Sequence, residues 1–202
     1  MTKGKFIVFE GLDGSGKTVQ AQKCYRYLKQ KGVKVILTKE PTDRGLIGIL
    51  IRQVLQKKIK LQSADGFQLL YCADRAEHLE KIIKPALQKG TWVICDRYYY
   101  STIAYGYLTS TQTRDWLAVI NKKFLRPDKT LFFKVDPKIC LQRIDRAREK
   151  KEFFEEADKL KKIWTGYQWC VAQFKETRVL DGEKTIEQIA ERVKKEINKM
   201  LK

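Results

Sequence analysis

Residues 11–18 read Gly-Leu-Asp-Gly-Ser-Gly-Lys-Thr: a glycine, four further residues, then Gly-Lys-Thr. That spacing suits a loop that grips phosphate. Gly11, Gly14 and Gly16 let the backbone curl, so that N–H groups of the loop, those of Leu12, Asp13 and Ser15 included, converge on one anion. Lys17 would reach the β- and γ-phosphates of a nucleotide, and the Thr18 hydroxyl would ligate Mg²⁺. A second group, Asp96-Arg97-Tyr98, offers complementary chemistry. A carboxylate at the end of a buried strand holds the Mg²⁺ shell in nucleotide-binding proteins. Arg97 stands where ATPases that drive machines carry a second carboxylate to activate water. A cation there points to gripping another phosphate, hence to transfer rather than hydrolysis.

Such groups need rigid elements beneath them. Phe6-Ile7-Val8-Phe9 is wholly apolar, as in a strand buried on both faces. Past the loop, Ala21, Cys24, Tyr25 and Leu28 recur at helical spacing, and Gly32 supplies a stop. Further strands are expected at 33–37, 92–95 and 131–135, with a weaker one at 177–180. Helical patterns span 45–57, 66–89, 113–123, 137–147 and 155–175. A last helix follows Thr185, which with Gln188 forms a capping box, and Ile186, Ile189, Val193 and Ile197 are expected to make its buried face. Strands alternating with helices imply an α/β fold with a parallel sheet covered on both sides. The 202 residues suit one domain. The basic stretch 146–151 lies between two helical patterns and is expected to form a mobile loop.

These motifs do not stand alone. With Thr38-Lys39-Glu40-Pro41-Thr42, Leu70-Tyr71-Cys72-Ala73-Asp74-Arg75, Ser101-Thr102, Tyr105 and Arg126-Pro127-Asp128, the chain resembles the thymidylate kinases, of the nucleoside monophosphate kinase group, from about Lys5 to the final helix. The resemblance implies a three-layer, adenylate-kinase-like P-loop fold with a five-stranded parallel sheet, usually a homodimer. It implies transfer of the γ-phosphate of Mg-ATP to dTMP, giving dTDP and ADP. Lys17, Arg97 and Mg²⁺ would form the fixed catalytic part, with Thr18 and Asp96 on the metal. With Gly at position 14 the chain is similar to members that carry their mobile cations in a lid, here about 143–155, with Arg146 and Arg148 as candidates and Lys150 and Lys151 nearby. By the same resemblance Arg143 lies on the adenine. Asp13 contacts the acceptor's sugar or the phosphate shell, Glu40 and Pro41 belong to the acceptor site, Thr102 meets the base edge, and Tyr105 meets the sugar. Tyr71 and Arg75 are four apart, so they share a helix face. An aromatic ring there stacks on a pyrimidine while the guanidinium donates to a base carbonyl. The family's usual stacking residue is Phe, so the Tyr71 hydroxyl needs a partner. Whether Arg44 replaces a phosphate-binding arginine is open at this level.

The acceptor is itself a phosphate with a second pKa of about 6, so no general base is needed. The lone histidine, His78, lies within a helical pattern and reads as a surface or packing residue. A hydroxyl acceptor would need a carboxylate base; Glu40 could serve, which leaves a deoxynucleoside kinase as the rival. The net charge of +18 raises a nucleic-acid-stimulated ATPase as another. Lysines spread over nearly every helix rather than one stripe favour a solvated surface with nonspecific nucleic-acid affinity. Five scattered cysteines without a C-x-x-C pair read as reduced core residues. No stretch approaches the roughly 18 apolar residues of a membrane span. With no signal peptide visible ahead of the first strand, the expected location is cytoplasmic.

Overall fold

The fold was established from a computed structural model, which describes residues 4–147, 154 and 156–201. All five residues of β1 (Phe6–Glu10) are buried. Alternation sends Phe6 and Val8 into one core and Ile7 and Phe9 into another. Beside β1 run β3 (Trp92–Asp96) and β4 (Lys129–Lys134), and outside them β2 (Val35–Lys39) and β5 (Thr177–Asp181). The order is β2-β3-β1-β4-β5, and every pairing is parallel. On one face, Ala21, Cys24 and Leu28 of α1 (Lys17–Gln30) pack with Ile189, Val193 and Ile197 of α9 (Ile186–Leu201). The other face is covered by α3 (Ala64–His78), α5 (Tyr99–Gly106) and α8 (Ala157–Gln173), whose buried residues share one cluster with Phe6, Val8 and Phe132. These are the three layers expected from the sequence. Chain direction across the sheet reverses at β1, so a crevice opens beyond the carboxyl ends of β1 and β3.

Several boundaries move for physical reasons. β2 begins at Val35, not 33, because the Val33 N–H closes onto the Leu28 carbonyl of α1 at 3.0 Å. The Thr185–Gln188 capping box forms reciprocally, at 3.2 Å each way. Ile186, expected in the buried face of α9, is 47% exposed; it sits at the first helical position, where only its carbonyl is tied down, by Gln20. The long helix expected over 66–89 runs from Ala64 to Gln88, but Leu79–Ile83 form a widened π turn before α4 (Lys84–Gln88). Pro85 has no N–H to donate one turn back, and the widening accommodates it. The remaining helices are α2 (Leu46–Leu55), α6 (Thr111–Asn121) and α7 (Pro137–Ala147). α5 was not expected at all. All five cysteines are buried and free. No described helix is long and apolar enough to cross a membrane.

Candidate active site

The phosphate loop connects β1 to α1. Gly14 has φ 78°, and a Cβ there would meet the Cys140 carbonyl oxygen at 2.4 Å, so no side chain fits unless α7 moves. α1 starts at Lys17 with no side chain capping it, which leaves its first N–H groups for an anion. Lys17 is buried, its ammonium 3.3 Å from the Leu12 carbonyl and 3.4 Å from Asp13. The Thr18 hydroxyl donates to Asp96 at 2.5 Å. The other Asp96 oxygen, Oδ1, is buried without a partner. An acceptor pair with one oxygen unclaimed fits a hard divalent cation such as Mg²⁺.

Arg97 leaves β3 in the left-handed region, φ 71°. Its guanidinium donates to Asp13 at 2.5 Å, to Ser101 and Tyr167 at 2.9 Å each, and more weakly to the Gly11 carbonyl. Tyr105 donates to the second Asp13 oxygen at 2.8 Å. Burial alone would raise the Asp13 pKa, but the charges of Arg97 and Lys17 and the Tyr105 hydrogen bond outweigh it and hold this carboxyl well below the usual range. Glu10, at the end of β1, is raised by desolvation, opposed by Arg97 and by hydrogen bonds from Ser101 and Tyr98.

These groups line a cleft of about 210 Å³. It gathers Asp13, Lys17, Thr18, Asp96 and Arg97 with Glu40, Pro41, Tyr71, Thr102 and Tyr105, and Tyr105 sits against both Asp13 and Arg97. The Glu40–Pro41 peptide is cis. Tyr71 is half-buried, its ring edge-on to Phe67 at 5.2 Å. Arg75 lies one helical turn on and deeper, 1% exposed. It is bound by Glu40 at 2.9 Å, Asn121 at 2.6 Å and Thr102 at 2.9 Å, so it reaches the cleft through Glu40 and Thr102. His78 is buried, not on the surface. Its two ring nitrogens meet Glu40 at 3.1 Å and Thr38 at 2.7 Å, a packing role against the acceptor end. Glu40, His78 and Cys95 come within 4.8 Å of one another, but Arg75 already supplies the cation for that carboxylate.

Sequence reasoning missed six residues that also line this cleft: Lys39, Arg52, Leu55, Gln68, Ser101 as a wall residue, and Phe154. Arg52 is the only charged residue in the apolar helix α2, a readable signal. It pairs with Asp43 at 2.7 Å and the Pro41 carbonyl at 2.5 Å, and its Nε is buried without a partner. Arg44 is exposed and lines a different cleft. Gln68 lies three residues before Tyr71 and its Oε1 is also unpartnered; Phe154 packs edge-on to Tyr105 at 4.9 Å. Of the expected lid cations, Arg146 is exposed on the last turn of α7, while Arg148, Lys150 and Lys151 lie outside the described residues. Arg143 reaches the rim of the loop, donating to the Gly182 carbonyl at 3.1 Å and the Gly14 carbonyl at 3.4 Å. A larger cleft of about 970 Å³ opens beside β2, α2 and the π turn. Its walls mix aliphatic with polar and charged residues and share Thr18 and Asp96 with the smaller cleft, but they include neither Lys17 nor Arg97, so the cations for phosphate belong to the smaller one.

Residues 9–193 match the thymidylate kinase family. A probable thymidylate kinase of Pyrococcus horikoshii is 39% identical, over 93% of this chain and 92% of the relative. A thymidylate kinase of Caldicellulosiruptor saccharolyticus is 37% identical, over 99% of this chain and 98% of the relative. The solved thymidylate kinase of Candida albicans superposes with a TM-score of 0.85 at 29% identity, covering 98% of this chain and 92% of that one. With its phosphate loop, its cation-bearing strand end and the shared cleft between them, the chain belongs to the thymidylate kinase family of phosphotransferases.

Proposed function

We propose that the 210 Å³ cleft holds dTMP with its phosphate toward Arg97 and its base toward Tyr71, and that ATP lies along the phosphate loop. An oxygen of the dTMP phosphate attacks the γ-phosphorus of ATP, the bond to the β-phosphate oxygen breaks, and dTDP and ADP result. The acceptor oxygen is already ionised near neutral pH. Catalysis is therefore positioning plus positive charge. Lys17 and Arg97 supply fixed cations, and Arg146 and Arg148 of a lid around 143–155 supply mobile ones. When bound, Mg²⁺ on Thr18 and Asp96 neutralises charge on the transferring phosphates. Arg143 lies toward the adenine.

At the acceptor end Arg52, a wall of the cleft, serves the dTMP phosphate, and Asp13 and Tyr105 meet the sugar. Tyr71 stacks on the thymine, while Thr102, backed by Arg75, meets the base edge together with Gln68. Glu40 here is an anchor: Arg75 and His78 occupy it, which disfavours a base role toward a nucleoside hydroxyl. The observation that carries the reading is the single set of walls shared by the Lys17–Asp13–Arg97 group and Tyr71. We further propose that the single domain works as a cytoplasmic homodimer, and that its charge gives only nonspecific contact with nucleic acid. ADP release with Mg-ATP against a panel of nucleoside monophosphates and nucleosides tests the reaction. Turnover with dTMP is expected; turnover with thymidine but not dTMP would overturn it.

A further inference from the structure

We propose that Glu10 is the positioning residue for Arg97, fixing both the backbone that carries it and the direction of its guanidinium. This rests on the reading of Arg97 given above. A non-glycine residue stays in the left-handed region only where its surroundings over-determine it. At Arg97 the constraint before the residue is its own N–H bonded to the Phe9 carbonyl at 2.9 Å. The constraint after it is Glu10. α5 begins two residues later and has no capping side chain of its own. Glu10 Oε1 supplies that cap from β1, accepting the Tyr98 N–H at 2.8 Å and the Ser101 N–H at 3.1 Å. One carboxylate oxygen therefore pins both sides of the turn that follows Arg97.

The second oxygen acts on the guanidinium. Oε2 accepts from the Ser101 hydroxyl at 2.7 Å and the Tyr167 hydroxyl at 3.1 Å. An ionised carboxylate only accepts, so it draws hydroxyl hydrogens of this pair, whose oxygens also lie 2.8 Å apart, toward Glu10 and leaves oxygen lone pairs facing outward. Arg97 Nη1 donates to those two oxygens, at 2.9 Å each. Glu10 thus sets the polarity of the chain of bonds that leaves Nη2 to Asp13 and the cleft. Tyr167 can join because α8 comes close to α5 at Gly166, where a Cβ would meet the Ala104 carbonyl oxygen at 2.6 Å.

The test is a double-mutant cycle on kcat with Glu10→Gln and Arg97→Ala, with melting temperature and KM for ATP measured alongside. Glutamine keeps the shape, and its carbonyl still caps α5. Its NH₂ donates where Oε2 accepted, so at least one hydroxyl must turn its hydrogen toward Arg97. Glu10→Gln is expected to lower kcat about 10–100-fold with KM for ATP within about threefold, and to cause no further loss in the Arg97→Ala background. Tyr167→Phe touches the hydroxyl route alone and should show the same non-additivity; it carries the test if Glu10→Gln fails to fold. Wild-type kcat in Glu10→Gln, or a loss that multiplies that of Arg97→Ala, would overturn the proposal. An active Arg97→Ala would instead overturn the underlying reading of Arg97.

Discussion

Arg97 and Lys17 both lean on Asp13, at 2.5 and 3.4 Å, so three charges share one wall of the cleft. Removing either cation strips charge from the transferring phosphoryl group while leaving the sheet packed. Arg97→Ala and Lys17→Ala should each lower kcat by at least about 10²-fold, with the fold retained by circular dichroism; unchanged turnover in either would refute the assigned roles. The same wall sets the pH response. The Asp13 carboxyl is held below its unfolded pKa, so its ion pairs contribute stability at any pH above the ordinary carboxylate range, lost only as pH falls through the depressed folded value. Asp13 therefore stays ionised at every pH where the enzyme is assayed. The acid limb of kcat/KM for dTMP should instead follow the acceptor phosphate, near a pKa of about 6. A limb near 4, abolished by Asp13→Asn, would contradict this. The loop, Thr18, Asp96 and Arg97 were legible because each acts within a few residues of a strand end. Gln68 was not, because it reaches the cleft from a helix whose rotation is set by distant packing; Arg52 was marked by its lone charge in an apolar helix, but nothing local gave its destination. The spacing put Arg75 on the Tyr71 side of its helix but said nothing of its depth, which Glu40, Asn121 and Thr102 set.

The same contrast governs whole elements. β1, β3 and β4 could be read from apolar runs because they are buried on both faces. α5 could not. Tyr99-Tyr100-Ser101-Thr102-Ile103 is aromatic and β-branched, with local preferences for a strand. It is helical because Glu10 caps it from another strand and because Tyr99, Tyr100 and Ile103 are buried in the main core. α9 is the opposite case, an amphipathic helix with its own start signal. Thr185→Ala removes one half of the reciprocal cap and should cost about 1 kcal/mol, read as a lower denaturant midpoint at constant slope. No change in midpoint would mean that the cap carries nothing. Gly166 holds α8 against α5. Gly166→Ala should cost more than the cap does, because the new Cβ meets main chain rather than a yielding side chain. Because it also pushes Tyr167 away from Arg97, kcat should fall while the protein is still folded. Stability lost without any change in kcat would separate the packing of α8 from the site.

At the scale of the molecule two properties pull against each other. The net charge of +18 makes copies repel, and the repulsion weakens as salt screens it. Yet large apolar side chains stay in water on two helices that both pack against α3: Leu46 of α2 is 88% exposed and Val119 of α6 is 61% exposed, with Trp116 beside it at 41%. A chain of 23.7 kDa that leaves such residues uncovered has reason to pair through them. The proposed homodimer and the proposed nonspecific contact with nucleic acid then carry opposite salt signatures. Raising salt from about 0.05 to 0.5 M should release bound polynucleotide, because counterion release drives that contact. The same change should leave the dimer intact or tighten it, because its driving force is apolar and its opposition is charge. Sedimentation across that range is expected to show twice the chain mass throughout, and Val119→Lys should convert it to the single mass, most completely at low salt. A dimer that dissolves as salt rises would mean that ion pairs, not the exposed apolar faces of α2 and α6, hold the copies together.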